Sequence, residues 1–151
     1  MKEIIEDFNI IDLNHAKEML ISEGYTCVLC KGDIKHTSTE RGVKPLVQWV
    51  EKALDVRGFS AADKVIGKAT AYLYILLGVR AVYAHVISKS ALRILQEHGV
   101  QLQYGSVVEN IINRKGDGIC PFEAAVLEIE DMHLAYAAIR TKMKEMNISV
   151  E

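Results

Sequence analysis

Residues 60–88 read SAADKVIGKATAYLYILLGVRAVYAHVIS. Ser60 is a good helix N-cap and Asp63 can complete a capping box, so the pattern predicts a helix that begins at Ser60. Its apolar stripe consists of residues at helical spacing: Val65, Ile66, Ala69, Leu73, Leu76 and Leu77. Gly78 is expected to end this helix in the left-handed conformation. The apolar run 79–87 that follows predicts a strand that is covered on both faces.

Turn residues and apolar periodicity predict further elements on both sides of this segment. Upstream they are a helix 12–24 capped by Asp12, strands 25–31 and 34–39 that pair as a hairpin, and a helix that opens at Pro45. Downstream they are a helix capped by Ser88 or Ser90 and closed at Gly99, strands 100–104 and 107–112, a loop 113–120, and helices 121–129 and 132–146. The strand-helix-strand passage 79–104 implies a parallel crossover, so we expect a three-layer α/β domain.

Length and composition limit the class of protein. The chain has 151 residues and is 50% hydrophobic, which predicts one domain over 1–151 with its own core. The net charge is −2 with both signs mixed along the chain, which argues against nucleic acid or a membrane surface as partner. No apolar run is long enough for a membrane span, and the acidic start MKEIIEDFNI does not resemble a signal peptide. Three cysteines favour a reducing compartment over a disulfide framework, so we expect a cytoplasmic protein.

The segment 113–123, which reads NRKGDGICPFE, carries the strongest chemical signal. Cys120 precedes a proline at a predicted helix start, so it would lie at the positive end of the helix dipole. Arg114 and Lys115 come shortly before it. Such surroundings favour a thiolate, which makes Cys120 a candidate nucleophile.

The same segment contains groups suited to anion binding and proton transfer. Gly116 and Gly118 permit a bend in which backbone amides converge on an anion. Glu123, the third residue of the predicted helix, is a candidate general base. A purely structural interpretation remains open, in which Glu123 caps the helix, the glycines form a turn and Cys120 is only a small residue at a helix start.

Charged residues around position 63 form a second candidate cluster. In a helix that begins at Ser60, Asp63 is explained by the dipole, whereas Lys64 needs an anion or carboxylate nearby. Lys64 and Lys68 are four residues apart and would share one helix face. Gly67 in mid-helix costs about 1 kcal/mol relative to alanine, which indicates the close approach of another group. The alternative is that both lysines point into solvent.

A third polar segment joins the hairpin to the Pro45 helix. Its residues suited to binding phosphate or carboxylate are Ser38, Thr39, Arg41, Gly42 and Lys44. The same composition is also that of an ordinary surface loop.

The cysteines and histidines do not match a metal site. Cys27 and Cys30 are three residues apart on a predicted strand, so their side chains should point to opposite faces, with one of them buried. A zinc ribbon would need a second pair, and only Cys120 remains. The five histidines fall at no ligand spacing, and His85 is expected to be a core residue that titrates near neutral pH. We therefore predict no metal and no cofactor.

Several blocks, together with the order of elements, resemble a known family. The blocks are YTCVLCKGD, ERGVKPLVQW, AADKVIGKATAYLYILLGV, VYAHVIS and NRKGDGICPFEAAV. They resemble a small uncharacterised family, a domain of unknown function that is placed with the cytidine-deaminase fold. The resemblance covers about residues 12–139 and implies a three-layer fold with a mixed sheet of about five strands. It implies no established reaction.

The resemblance also implies a departure from deaminase chemistry. Zinc deaminases carry an H-x-E motif at the start of the central helix and a P-C-x-x-C motif at the start of the next. Here residues 61–64 read AADK, without histidine or cysteine, and residues 88–92 read SKSAL, without cysteine, so the zinc ligands of the two motifs are missing. Hydrolytic deamination is therefore not expected, and a zinc site built from Cys120, Asp63 and His85 is the least favoured interpretation.

Pockets in α/β sheets form beyond the carboxyl ends of strands, where helix starts gather. We expect one cleft bordered by six residues: Asp63, Lys64, Asn113, Arg114, Cys120 and Glu123. The first hypothesis is a zinc-free module that binds a nucleotide-like or other anionic small molecule in this cleft. The second is a metal-independent enzyme in which Cys120 is a nucleophile or sulfur carrier and Lys64, Asp63 or Glu123 transfers protons. Mixed faces on the first and last helices also favour a homo-oligomer of undetermined size.

Overall fold

The computed structural model describes residues 2–150, with side chains from residue 10 onward. In that range the elements are α1 (Lys2–Ser22), β1 (Cys27–Lys31), β2 (Ile34–Ser38), α2 (Lys44–Glu51), β3 (Ser60–Ile66), α3 (Lys68–Leu77), β4 (Ala81–Ser88), α4 (Lys89–Glu97), β5 (Gln101–Val108), α5 (Pro121–Ala125) and α6 (Met132–Glu145). No helix in this range combines the length and the apolar character needed to cross a membrane. The predicted domain span 1–151 also includes Met1 and Glu151, which lie outside the described residues.

The five strands form one mixed sheet in the order β2-β1-β3-β4-β5. β1 pairs antiparallel with both β2 and β3, whereas β3, β4 and β5 run parallel. The parallel pairs are joined by crossovers through α3 and α4, as the predicted crossover requires. The predicted α/β class, with a mixed sheet of five strands flanked by helices, is confirmed.

Helices cover both faces of the middle of the sheet. On one face, α1 packs Leu13 and Leu20 against Val28 and Ala62. On the other face, α2, α3, α4 and α6 enclose the larger core, to which the sheet contributes residues such as Val82. The first four residues of β3 and of β4 are buried on both faces of the sheet. Those of β4, residues 81–84, are all apolar, whereas β3 includes the polar Ser60 and Asp63.

Residues 60–66 form a strand and not a helix, which corrects the central prediction. β3 pairs with β1 on one side and β4 on the other, so Ser60 caps no helix and Asp63 completes no capping box. α3 begins only at Lys68, with Gly67 at its N-cap in an extended conformation. The apolar spacing fits both a helical stripe and a buried strand, and the two partner strands decide between them. Gly78 ends α3 in the left-handed region with a φ of 79°, as predicted.

Other boundaries differ near the two ends of the chain. α1 begins at Lys2, so Asp12 lies inside the helix, where its carboxylate accepts a hydrogen bond from the Gly32 amide at 3.0 Å. The predicted strands 100–104 and 107–112 are one strand, β5. The predicted cap is confirmed at Ser88, whose hydroxyl accepts a hydrogen bond from the Ala91 amide.

The helix predicted over 121–129 is only five residues long. α5 ends at Ala125, and the following segment turns back toward α3. The Leu127 and Ile129 carbonyls accept hydrogen bonds from the Lys68 ammonium and the Tyr72 hydroxyl, at 3.0 and 3.1 Å. These tertiary bonds hold the segment after α5 against α3.

Candidate binding cavity

A cavity of about 460 Å³ opens where β1, β3, the start of α2, the start of α3 and the loop before α5 meet. Small-molecule sites commonly have volumes of about 300–1,000 Å³ and lie beyond strand ends of this kind. Its apolar lining residues are Val43, Val65, Ala69, Ile111, Ile112 and Phe122. Of the six residues predicted to border one cleft, those that line this cavity are Asp63, Lys64, Arg114, Cys120 and Glu123.

Asp63 lies in the buried wall of the cavity. It is directly opposite Cys27 in the β1–β3 ladder, and the side chain is on the face covered by α3. Its Oδ2 accepts a hydrogen bond from the Tyr74 hydroxyl at 2.6 Å, and its Oδ1 accepts one from the Val65 amide at 3.2 Å. Burial raises the pKa of the Asp63 carboxyl to about 7, although both hydrogen bonds oppose the rise. The group therefore titrates near neutral pH.

Glu123 reaches from α5 to the start of α3. Its Oε2 accepts a hydrogen bond from the Ala69 amide at 3.3 Å, which satisfies one of the free amides at that helix end. An added Cβ at Gly67 would lie 2.5 Å from Cδ of Glu123. The predicted close approach at Gly67 is therefore present, although Gly67 lies at a helix start. Burial raises the pKa of Glu123, and the amides of Ala69 and Lys68 oppose this rise.

Three cations lie exposed where the cavity opens. They are Arg41, before α2, Lys64, on β3, and Arg114, in the loop before α5. None of them forms an ion pair with another residue whose side chain the structure describes. Glu40, an exposed acid that also lines the cavity, forms its ion pair with Lys44 and not with any of these three cations.

Lys68 lies outside the cavity and is only 4% exposed. Its ammonium is 2.7 Å from the Glu130 carboxylate. The prediction that Lys64 and Lys68 share a helix face is wrong, because Lys64 belongs to β3. The alternative that Lys68 points into solvent is also wrong.

The polar segment before α2 contributes only in part. Arg41 and Gly42 line the cavity, whereas Ser38 and Lys44 do not. The Ser38 hydroxyl accepts a hydrogen bond from the Glu40 amide, and Lys44 forms an ion pair with Glu40 at 3.4 Å. These contacts satisfy the two side chains locally.

The glycine-bearing loop is organised by Asn113. Its Oδ1 accepts hydrogen bonds from the amides of Gly116 and Asp117 at 2.8 and 3.2 Å, and its Nδ2 donates to Asp117. Asn113, Gly116 and Gly118 do not line the cavity. Their structural effect is to shape the loop that carries Arg114.

The three cysteines are free thiols in different surroundings. Cys120 is half-buried at the N-cap of α5 and lines the cavity, without a side-chain capping bond. Cys27 also lines it but is buried, and burial followed by the charge of Asp63 raises the pKa of this thiol. Cys27 and Cys30 face opposite sides of the sheet, as predicted, but both are buried rather than one.

The described part of the chain contains no group of three or more His, Cys, Asp or Glu residues arranged to hold a metal ion. His85 does not line the cavity. It is exposed on β4, so the expectation of a core histidine is wrong. α1, which covers that face of the sheet, packs mainly on β1 and β3.

Sequence reasoning missed Tyr74 and Cys27 as parts of this site. Tyr74 is fully buried, and a buried tyrosine hydroxyl usually finds a hydrogen-bond partner. That rule indicates that some acceptor must face α3, but it does not identify Asp63. The sequence predicts Cys27 on a strand but does not show that it lies opposite Asp63, because the β1–β3 register depends on the tertiary fold.

A family model described as a domain of unknown function, DUF1893, matches residues 15–143. The chain belongs to the DUF1893 family. A DUF1893 family protein from Thermotoga maritima, known from a crystal structure, is similar to it. The two share 27% sequence identity over 89% of each chain, with a TM-score of 0.78. No curated protein matches the chain.

Proposed function

We propose that this DUF1893 chain binds a small anionic, nucleotide-like molecule in the cavity. The observation that carries the proposal is the group of three cations at the opening, Arg41, Lys64 and Arg114, which have no ion-pair partner among the described side chains. Phosphate and carboxylate groups are the natural partners of such cations, and arginine binds them through paired hydrogen bonds. The apolar lining offers a surface against which a flat ring can pack.

The proposal includes a zinc-free relationship to the cytidine-deaminase fold. It is supported by the mixed sheet and by a cavity that the starts of α2 and α3 border. Zinc deaminases place their ligands at helix starts. Residues 61–64 lie on a strand, so the comparison with the zinc motifs has to be made at the starts of α2 and α3. Residues 43–45, at the start of α2, read VKP, and residues 67–69, at the start of α3, read GKA. Neither triplet contains histidine or cysteine.

Calorimetric titration with nucleoside mono-, di- and triphosphates tests this function. Arg114→Ala should weaken binding of any phosphate that binds by about tenfold or more, since a charge-assisted hydrogen bond is lost. Lys115→Ala is the matched control, because Lys115 is the next residue but does not line the cavity. The proposal fails if no compound binds at millimolar concentration, or if both variants bind as the unmodified protein does.

A second candidate function is a metal-independent enzyme that uses Cys120. The observation in its favour is that Cys120 shares one cavity with the acid-base groups Asp63, Lys64 and Glu123. Alkylation of Cys120 by iodoacetamide at neutral pH should then be faster than that of glutathione and should slow in Lys64→Ala. A rate equal to that of glutathione, or one insensitive to Lys64→Ala, would exclude this function.

A further inference from the structure

Apart from Glu40, whose carboxylate pairs with Lys44, the opposite charges of the lining occupy different parts of the cavity. Asp63 and Glu123 are in its buried wall, 8% and 5% exposed, whereas the three cations lie exposed at the opening. No ion pair joins the two groups among the described residues. The cavity therefore has an inner end that accepts hydrogen bonds and an outer end that is positive.

The carboxylates of Asp63 and Glu123 can accept further hydrogen bonds beyond those that they accept from the protein. Each carboxylate oxygen has two lone pairs. Oδ1 and Oδ2 of Asp63 each accept one described hydrogen bond, from the Val65 amide and the Tyr74 hydroxyl. Oε2 of Glu123 accepts one bond from the Ala69 amide, and the Lys68 amide and the Ser88 hydroxyl are further donors to this carboxylate, which leaves part of its four lone pairs free. Acceptor positions on both side chains therefore remain for a ligand.

No cation of the described chain pairs with these carboxylates. The charge of Lys68 lowers the pKa of Glu123, but it is the smallest of the causes that shift this pKa. The Lys68 ammonium forms its ion pair with Glu130. Asp63 forms no ion pair in the described structure. Burying a carboxylate without a cation is costly, and a ligand that brings N–H donors to the wall would offset that cost.

We infer that the cavity takes a dipolar ligand, with an ammonium or amino-substituted heterocycle at its inner end and a phosphate or carboxylate at its outer end. The anion at the outer end rests on the proposed function, and the N–H donor at the inner end is the addition to it. A ligand with a carbonyl oxygen at the inner end would place lone pairs against Asp63, which is unfavourable.

Two matched pairs of probes test the inner end by calorimetry or by NMR titration at about pH 8, above the Asp63 pKa, where Asp63 is mainly ionised. Aminoethylphosphonate is compared with ethylphosphonate, and guanosine monophosphate with inosine monophosphate. Each pair shares its anion and differs by one amino group. The amino member of each pair should bind about tenfold or more tightly.

Asp63→Asn and Glu123→Gln keep the sizes of the two side chains and remove their charges. Either variant should reduce the difference within each pair, and the double variant should abolish it. Arg114→Ala should weaken both members of a pair by the same factor. Equal affinities within both pairs, or a difference that survives in the double variant, would overturn this inference and leave the proposed function standing. If none of the four probes binds at millimolar concentration, this inference is overturned, and the nucleoside phosphate titration decides the proposed function separately.

Discussion

The Tyr74 hydroxyl lies 2.6 Å from Oδ2 of Asp63 and donates a hydrogen bond to it. Asp63 comes from β3 and Tyr74 from the middle of α3, and both side chains are buried between the sheet and the helix. The pair therefore fixes the orientation of the carboxyl group in the cavity wall. It also raises the pKa of Tyr74, because burial and the adjacent carboxyl disfavour the phenolate.

The first prediction concerns the pH dependence of stability. The pKa of Asp63 rises from 3.8 to about 7 on folding, so the folded chain binds more protons between these values. The free energy of unfolding should therefore fall as pH rises from about 4 to about 7, by about 4 kcal/mol from this group. Asp63→Asn removes the contribution, so the variant should be more stable than the unmodified protein at pH above 7.

Urea unfolding at a series of pH values measures this effect. Glu128→Gln is a suitable control, because Glu128 is exposed and should leave the pH profile unchanged. A profile for Asp63→Asn parallel to that of the unmodified protein would show that Asp63 does not titrate as inferred.

The second prediction concerns the space that Gly67 leaves for Glu123. An added Cβ would lie 2.5–2.8 Å from the carboxyl atoms of Glu123, closer than a real Cβ contact allows. Gly67→Ala should therefore lower the free energy of unfolding by about 1–3 kcal/mol, as overpacking typically does. The effect should be smaller in a Glu123→Ala background, because the clashing group is absent there.

A double-mutant cycle by chemical denaturation measures the coupling. Gly118→Ala serves as control, since its added Cβ would meet only Nδ2 of Asn113 at an ordinary distance of 3.7 Å. Equal costs of Gly67→Ala in both backgrounds would contradict the predicted contact.

The third prediction compares a buried with an exposed lysine. Lys68→Met removes a buried ammonium that bonds Glu130 and the Leu127 carbonyl, and should cost about 1–3 kcal/mol. Lys89→Met removes an exposed pair with Glu109 and should cost less than about 1 kcal/mol. Hydrogen exchange of residues 126–131 should accelerate only in Lys68→Met. Similar exchange in both variants would show that Lys68 does not hold this segment.

The fourth prediction concerns thiol accessibility. Cys120 is half-buried, whereas Cys27 and Cys30 are 2% and 0% exposed. A disulfide reagent should therefore modify one thiol in the native protein, and Cys120→Ser should remove that reaction. All three thiols should react in urea. If the native Cys120→Ser variant were still modified rapidly, Cys27 or Cys30 would be reacting, which would indicate that β1 opens easily.

Local features of the sequence determined much of the architecture. The helix end at Gly78, the cap at Ser88 and the hairpin turn at Gly32-Asp33 were predictable, because caps and tight turns depend on a few neighbouring residues. The apolar run after Gly78 predicted β4, whose first four residues are buried on both faces of the sheet. The α/β class followed from the order of these elements.

Only the tertiary structure decided that residues 60–66 are a strand. Their apolar spacing fits a helix or a buried strand, and the choice depends on pairing with β1 and β4. The cavity depends on contacts of the same long-range kind, such as Glu123 with Ala69, which are 54 residues apart. The sequence by itself determined which residue types are available for chemistry, such as Asp63, Arg114 and Glu123. The packing of α3 and α5 against the strand ends decided which of them meet, because burial and hydrogen bonding between distant segments exist only in the folded chain.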